Sequence, residues 1–160
     1  NGTKIKIDDE NEAITISATK GTFLPKRRFE ITGTSSGSSG GDIVYFGGAN
    51  SMTTGNIYMF NSAGKWAKTD AANVDKSKGL LAVALGTTSN TDGMLIRGMV
   101  TLNHNPGTIG DVLYLTTTLG QASGSAPTAT GDIVRVIGYC LDSTNGQIFF
   151  NPDNSFIELA

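Results

Sequence analysis

A short phrase recurs four times in this 160-residue chain: a glycine, an aspartate or asparagine, and then a mostly apolar run. The four copies are Gly41–Phe46, Gly55–Phe60, Gly110–Leu115 and Gly131–Val136. Glycine next to Asp or Asn is typical of turns, and an apolar, β-branched and aromatic run after such a turn predicts a strand. The repetition therefore favours many short strands joined by tight turns over a helical fold.

A longer internal match relates residues 55–98 to residues 110–151. The anchor pairs are Gly55 and Gly110, Gly64 and Gly120, Leu81 and Ile137, and Met94 and Gln147, at spacings of 55, 56, 56 and 53 residues. Because the spacings stay so close to one another, they predict two copies of one four-strand unit. Shared strand alternation without a true repeat is the alternative explanation of the match.

Composition divides the chain into three zones. Residues 1–33 contain two segments of alternating polar and apolar residues, Lys4–Ile7 and Ala13–Ser17, which predict a β-hairpin that serves as a stem or connector. Residues 34–41 consist of Thr, Ser and Gly, and predict a flexible hinge or a long hairpin loop. Residues 42–160 contain the internal match and are predicted to form the β domain.

The fold class follows from these elements. Glycine contributes 21 residues, and with Thr, Ser and Asn it makes about two-fifths of the chain residue types that favour turns or extended backbone. The predicted strands are joined by short turns without a helix-length crossover, which favours antiparallel pairing. We predict an all-β fold of antiparallel hairpins, as a sandwich or as two small tandem barrel-like units. The apolar run Leu80–Leu85 is predicted to be a strand buried on both faces.

Charge and composition argue against several classes of function. With 12 Lys and Arg against 14 Asp and Glu, the net charge of -2 offers no basic face for nucleic acid. The longest apolar run is far shorter than the roughly 20 residues that span a bilayer, so no membrane insertion is predicted. One cysteine cannot form an internal disulfide. The chain begins with Asn1 rather than Met, and we interpret it as a piece of a longer protein.

Residues for catalysis or metal binding are sparse. His104 is the only histidine, and its surroundings, Asn103–Gly107, are typical of a tight turn rather than of a general base. One histidine and one cysteine cannot assemble the usual zinc ligand sets. Cys140 is predicted to be a small buried apolar residue, and the aspartates of the Gly-Asp phrases are interpreted as turn residues. We therefore predict no enzyme activity, no cofactor and no metal.

Two features are candidates for surface contacts. Trp66 lies between two lysines just after a turn, and we expect its ring to face outward, where it could stack on a sugar; packing in the core is the alternative. Lys26, Arg27 and Arg28 form a basic triplet that could hold an anionic sugar or a phosphate. A solvated strand end or a salt bridge between subunits is the alternative for the triplet. The candidate contact loops are residues 49–54, 87–92 and 119–127.

Four segments carry a resemblance to a known group of proteins. They are Gly79–Gly86, Leu95–Leu102, Gly110–Tyr139 and Phe149–Asp153. In order, the last two contain a G-D-x-L-Y strand, a Gly-containing turn, an A-P-x-x-x-G-D stretch and a closing F-x-P-D. In these features the chain resembles a widespread group of tailed-bacteriophage virion proteins, which includes fibre-like and tail-associated structural proteins. The pattern is shared by small capsid decoration proteins.

The resemblance implies a virion structural protein, fibre or tail-associated, that acts in the extracellular phage particle. Its implied partners are copies of itself, as a homo-oligomer and most simply a trimer, other virion proteins, and a host-surface glycan or protein. A capsid decoration protein is the alternative, and a cellular adhesin or surface-layer module is the third hypothesis. Association also has a physical reason, because the exposed edges of small β units are usually paired or covered in native proteins.

Overall fold

The structure is a computed structural model that describes residues 4–8, 13–17, 29–31 and 33–160. In these residues the fold is all-β, which confirms the predicted class. A short 3₁₀-helix spans Val74–Lys76. The strands are β1 (Lys4–Asp8), β2 (Ala13–Ser17), β3 (Ser39–Val44), β4 (Ile57–Phe60), β5 (Trp66–Lys68), β6 (Leu81–Ala84), β7 (Met94–Thr101), β8 (Val112–Leu115), β9 (Ala122–Ser123), β10 (Ile133–Val134), β11 (Val136–Asp142), β12 (Gln147–Phe150) and β13 (Ile157–Glu158).

Most of the strands belong to one strongly curled antiparallel sheet that forms a half-barrel. Its strand order is β5-β4-β6-β7-β12-β11-β8-β9, and β3 pairs with β7. β10 pairs with β13 in a small second sheet, and β1 pairs with β2 in the predicted N-terminal hairpin. The main core lies on one face of the curled sheet, which we call the core face. It includes the fully buried side chains of Ile57, Leu95, Leu113, Ile148 and Phe150.

The strand order of the curled sheet contains the same four-strand unit twice. In the first unit, β4 pairs with β5 and with β6, and β6 pairs with β7. In the second unit, β8 pairs with β9 and with β11, and β11 pairs with β12. The two units meet where β7 pairs with β12. These are the strands that the internal sequence match relates to one another.

In the first strand of each unit, the residues that face the main core are shifted by one position relative to the sequence match. Gly55 and Gly110 both have positive φ, at 79° and 89°, and both precede the first strand of their unit. Ile57 lies in the main core, but Val112, at the same distance from its glycine, does not; Leu113 takes that place. Because successive residues of a strand point to opposite faces, a slip of one residue exchanges the two faces.

The Gly/Ser segment 34–41, for which the composition predicts a flexible hinge or a long hairpin loop, makes backbone hydrogen bonds to the curled sheet. Its last three residues belong to β3, and the Gly37 N–H donates to the Thr101 carbonyl oxygen at 2.9 Å. A Cβ atom added to Gly41 would clash with the backbone carbonyl of Arg97. The small residues therefore let β3 approach β7 closely, and the segment is hydrogen-bonded to the sheet.

The apolar run Leu80–Leu85 is buried over its four central residues, which form β6, whereas Leu80 is 44% exposed and Leu85 is half-buried. Leu81, Ala82, Val83 and Ala84 of β6 are each at most 1% exposed. Leu81 and Val83 belong to the main core, whereas Ala82 and Ala84 belong to a second cluster on the opposite, outer face of the sheet. β6 is therefore covered on both faces.

Candidate interaction surfaces

The expected outward orientation of Trp66 is wrong, because this side chain is only 6% exposed. Its Nε1 donates a hydrogen bond to the Phe46 carbonyl oxygen at 2.8 Å. Its ring centroid lies 5.3 Å from that of Phe46 and 5.1 Å from that of Phe60. The chain that follows β3 crosses the outer face of the first unit and brings Phe46 against the indole, so Trp66 serves packing.

The remaining residues with candidate chemistry do not assemble a site. Lys26, Arg27 and Arg28 lie outside the described residues. Cys140 is buried, as predicted, and burial raises the pKa of its thiol. Among the residues that the structure describes, no three His, Cys, Asp or Glu side chains are grouped closely enough to hold a metal ion. The same part of the chain contains no helix with the length and apolar character needed to cross a membrane.

Two of the candidate contact loops, residues 49–54 and 87–92, lie side by side. The Ser89 N–H donates to the Ala49 carbonyl oxygen at 2.9 Å, and the Ala49 N–H donates to Ser89 Oγ at 3.0 Å. The Ser89 side chain is fully buried between them. The two loops therefore form one hydrogen-bonded surface next to the first unit.

The outer face of the first unit is covered by the protein's own chain. Tyr58, Ala82 and Met94 on this face are at most 5% exposed. Apolar side chains of Val44 at the end of β3, and of Phe46, Ala49 and Met52 in the segment that follows it, pack against them in the second cluster. The apolar residues of this face are therefore buried by other residues of the same molecule.

The outer face of the second unit remains partly open. Tyr139 of β11 is 47% exposed and Leu141 is 36% exposed. Tyr139 lies opposite Phe149 of β12, which in turn lies opposite Met99 of β7. The ring of Phe29 lies against Phe149, with a centroid distance of 6.3 Å. We call these five uncharged side chains the outer stripe.

A polar cleft of about 540 Å³ lies beside the β8–β9 hairpin of the second unit. Residues 104–106 line one part, the turn at residues 116–118 lines another, and residues 121–123 and 125–129 with Asp132 line the rest. The third candidate contact loop, residues 119–127, thus supplies much of its lining. Only the abundance of Thr and Ser near this hairpin signals the cleft in the sequence.

His104 joins the turn before β8 to the edge strand β9. Its Nδ1 lies 3.0 Å from Asn103 Oδ1, and its Nε2 accepts the Ala122 N–H at 3.1 Å. Nε2 also lies 3.2 Å from the Ala122 carbonyl oxygen, so a ring protonated at Nδ1 donates to Asn103 and accepts the Ala122 N–H, whereas a doubly protonated ring would donate to that carbonyl instead. Burial lowers the pKa of His104, and a hydrogen bond with the Ala122 carbonyl opposes that effect. The imidazole thus provides a hydrogen-bond acceptor for the Ala122 N–H of the edge strand β9.

We expect the His104→Ala variant to be about 1 kcal/mol less stable than the wild type at pH 7.5, because the Ala122 N–H loses its acceptor. The pKa of His104 in the folded protein is lower than its ordinary value. Its contribution to the free energy of unfolding is therefore complete above the ordinary pKa, and it is lost as the pH falls through the lowered pKa. Urea unfolding of both proteins between pH 7.5 and pH 5 measures the difference. A difference that grows on acidification would contradict this assignment.

Comparison of the chain with protein-family models, with curated proteins and with solved structures found no match. The fold therefore has to be interpreted from its own surfaces and from the sequence resemblance. The surfaces that stand out are the outer stripe and the polar cleft, and both lie mainly on the second unit.

Proposed function

We propose that this chain is a structural module of a tailed-bacteriophage particle, located in a fibre or another tail-associated part. In this proposal it has no catalytic role and associates with copies of itself, as a trimer, and with other virion proteins. The sequence resemblance supports the proposal, since its segments form β6 and most of β7 in the first unit and β8, β9, β10 and parts of β11 and β12 further along the chain. Loops at the surface, including residues 119–127, would face the host.

The observation that carries the self-association part is the difference between the two outer faces. The same strand order occurs in both units, yet Tyr139 and Leu141 on the outer face of the second unit stay exposed, although Phe29 packs on their neighbour Phe149. Tyr139 and Leu141 are large, exposed side chains of β11, Leu141 at an irregularity in its pairing with β12, and exposed apolar surface of this kind is typical of protein contacts. Neighbouring subunits would cover it.

We expect the wild-type chain to sediment as a trimer at micromolar concentration, and the Tyr139→Ser/Leu141→Ser double variant to associate at least about tenfold more weakly, because apolar anchors carry most of the energy of an interface. Sedimentation equilibrium measures both. Ile109→Ser is the matched control, because Ile109 is 66% exposed but lies outside the stripe. A wild-type chain that stays monomeric at 100 times that concentration contradicts self-association.

The location is tested separately on assembled particles. Antibodies against the chain, used in immunogold microscopy of phage from the same source, should label the tail or its fibres. Label on the head would instead indicate capsid decoration. Label on cells that carry no particles would indicate a cellular adhesin or a surface-layer module.

A further inference from the structure

The polar cleft of the second unit contains hydrogen-bonding groups that the protein itself does not use. Gln121 is half-buried in its lining, and its side-chain amide makes no hydrogen bond to any described residue. The Thr117 hydroxyl is equally unpaired within the described chain. Asp132 is 8% exposed, and one carboxylate oxygen accepts the Ala129 N–H at 3.2 Å. The other oxygen has no protein partner in the described residues, so the cleft offers both donors and acceptors.

The backbone around these groups is held in place by its own hydrogen bonds. The Gly124 N–H donates to the Pro106 carbonyl oxygen at 2.8 Å, which ties the segment after β9 to the turn before β8. The Thr118 N–H donates to Thr116 Oγ1 at 3.1 Å and closes the β8–β9 turn. His104 fixes the edge strand between them. A ligand would therefore meet a preformed cleft and would not have to order its walls.

The charge of the lining restricts the class of ligand. Asp132 is the only formally charged residue among those that line the cleft, and no Lys or Arg of the described chain is among them. Phosphate, sulfate and carboxylate ligands would find no cationic partner and would be repelled by that carboxylate. Hydroxyl groups fit this lining better, since a sugar hydroxyl can donate to a carboxylate and exchange hydrogen bonds with an amide.

The first unit provides an internal comparison. It has a cleft of about 640 Å³ next to its β4–β5 hairpin, in the place that corresponds to the β8–β9 hairpin of the second unit. The lining of that cleft includes Asp75, Lys76 and Lys78, and Lys78 forms an ion pair with Asp75. Equivalent positions in the common strand order therefore carry different chemistry, charged in the first unit and hydroxyl- and amide-rich in the second.

We propose that the polar cleft of the second unit binds a neutral saccharide. Gln121, Asp132 and Thr117 would exchange hydrogen bonds with its hydroxyl groups. The inference rests on the proposed function only in placing the sugar on a host surface. The binding chemistry itself depends on the cleft.

The test uses the purified full chain and ligand-observed NMR titration. The probes are maltohexaose, cellohexaose, mannotriose and galactotriose as neutral saccharides, and sialyllactose and a sulfated disaccharide as charged ones. We expect saturation transfer to at least one neutral probe and to neither charged probe. The Thr117→Ala/Gln121→Ala double variant should weaken that binding about tenfold, because it removes hydrogen bonds that only the ligand makes.

Ser62→Ala is the matched control, since Ser62 lines the cleft of the first unit. Its binding should equal that of the wild type, and circular dichroism with urea unfolding should show that all variants fold. The inference is overturned if no neutral probe binds, if only the charged probes bind, or if the double variant binds like the control. A chain that labels the phage tail and forms trimers but fails these titrations leaves the proposed function intact and removes the saccharide site alone.

Discussion

Replacing Gly138 by alanine is expected to lower the free energy of unfolding by about 3 kcal/mol or more. Losses of this size have few causes, and one of them is strain at a backbone position that only glycine adopts. Gly138 lies within β11 at φ 150°, opposite Phe150 of β12. A Cβ atom at this position would clash with the backbone carbonyl oxygen of Phe149. A backbone oxygen cannot rotate away as a side chain can, so β11 and β12 would have to separate.

Gly110→Ala is the control for this prediction. Gly110 also has a positive φ, at 89°, but a Cβ atom there would meet nothing within 4 Å. Only the backbone penalty of about 1–2 kcal/mol remains for such a residue. Urea unfolding of both variants measures the difference, and equal losses at the two positions would show that the close approach of β11 and β12 contributes nothing.

The second large effect is expected for Arg135→Met, with a loss of about 3 kcal/mol or more, because hydrogen bonds that involve a charged group contribute about 1.5–3 kcal/mol each. Arg135 is 2% exposed, and its guanidinium donates to three backbone carbonyl oxygens. These belong to Ser77 at 2.6 Å, Gly79 at 3.0 Å and Asp153 at 2.8 Å. Without the guanidinium these carbonyls lose a charged donor in a buried place, and each such loss is unfavourable.

The position of Arg135 gives a second reason to expect a large loss of stability. Ser77 and Gly79 lie in the connection between β5 and β6 of the first unit, whereas Asp153 lies after β12 of the second. One side chain thus joins the two units. Burial lowers the pKa of Arg135 and the charge of Asp153 opposes that effect, but the group remains a cation.

Two further variants complete this test. Arg97→Met is the matched control, because Arg97 is exposed on β7 and should change stability by less than about 0.5 kcal/mol. Arg135→Lys keeps the charge but lacks the planar fork, so we expect an intermediate loss. If Arg135→Met unfolds at the same urea concentration as Arg97→Met, the proposed joining role of Arg135 is refuted.

Local patterns in the sequence are sufficient to predict most of the strands. Gly55 and Gly110 open their strands in the way that a Gly-Asp or Gly-Asn turn implies. The period-two alternation before residue 18 predicts the β1–β2 hairpin, and the unbroken apolar run at β6 predicts burial on both faces. Each of these signals depends on neighbouring residues only, because turns and strand alternation are local properties of the chain.

Long-range contacts account for the predictions that differ from the structure. The Gly/Ser composition of residues 34–41 indicates flexibility, but the partner of this segment is Thr101, which is distant in sequence. Trp66 has lysines as neighbours in sequence, but Phe46 covers it in space. The polar cleft is equally hidden, since its lining comes from several segments between His104 and Asp132.

The amino-acid sequence by itself determined that this protein is built from short antiparallel strands, because turn glycines and apolar alternation act over a few residues. Only the tertiary structure decided which outer face is covered, which side chains join the units and where a polar cleft opens. The physical reason is that a one-residue shift of a strand exchanges its faces, and that a covering segment such as Val44–Met52 is placed by the pairing of β3 with β7.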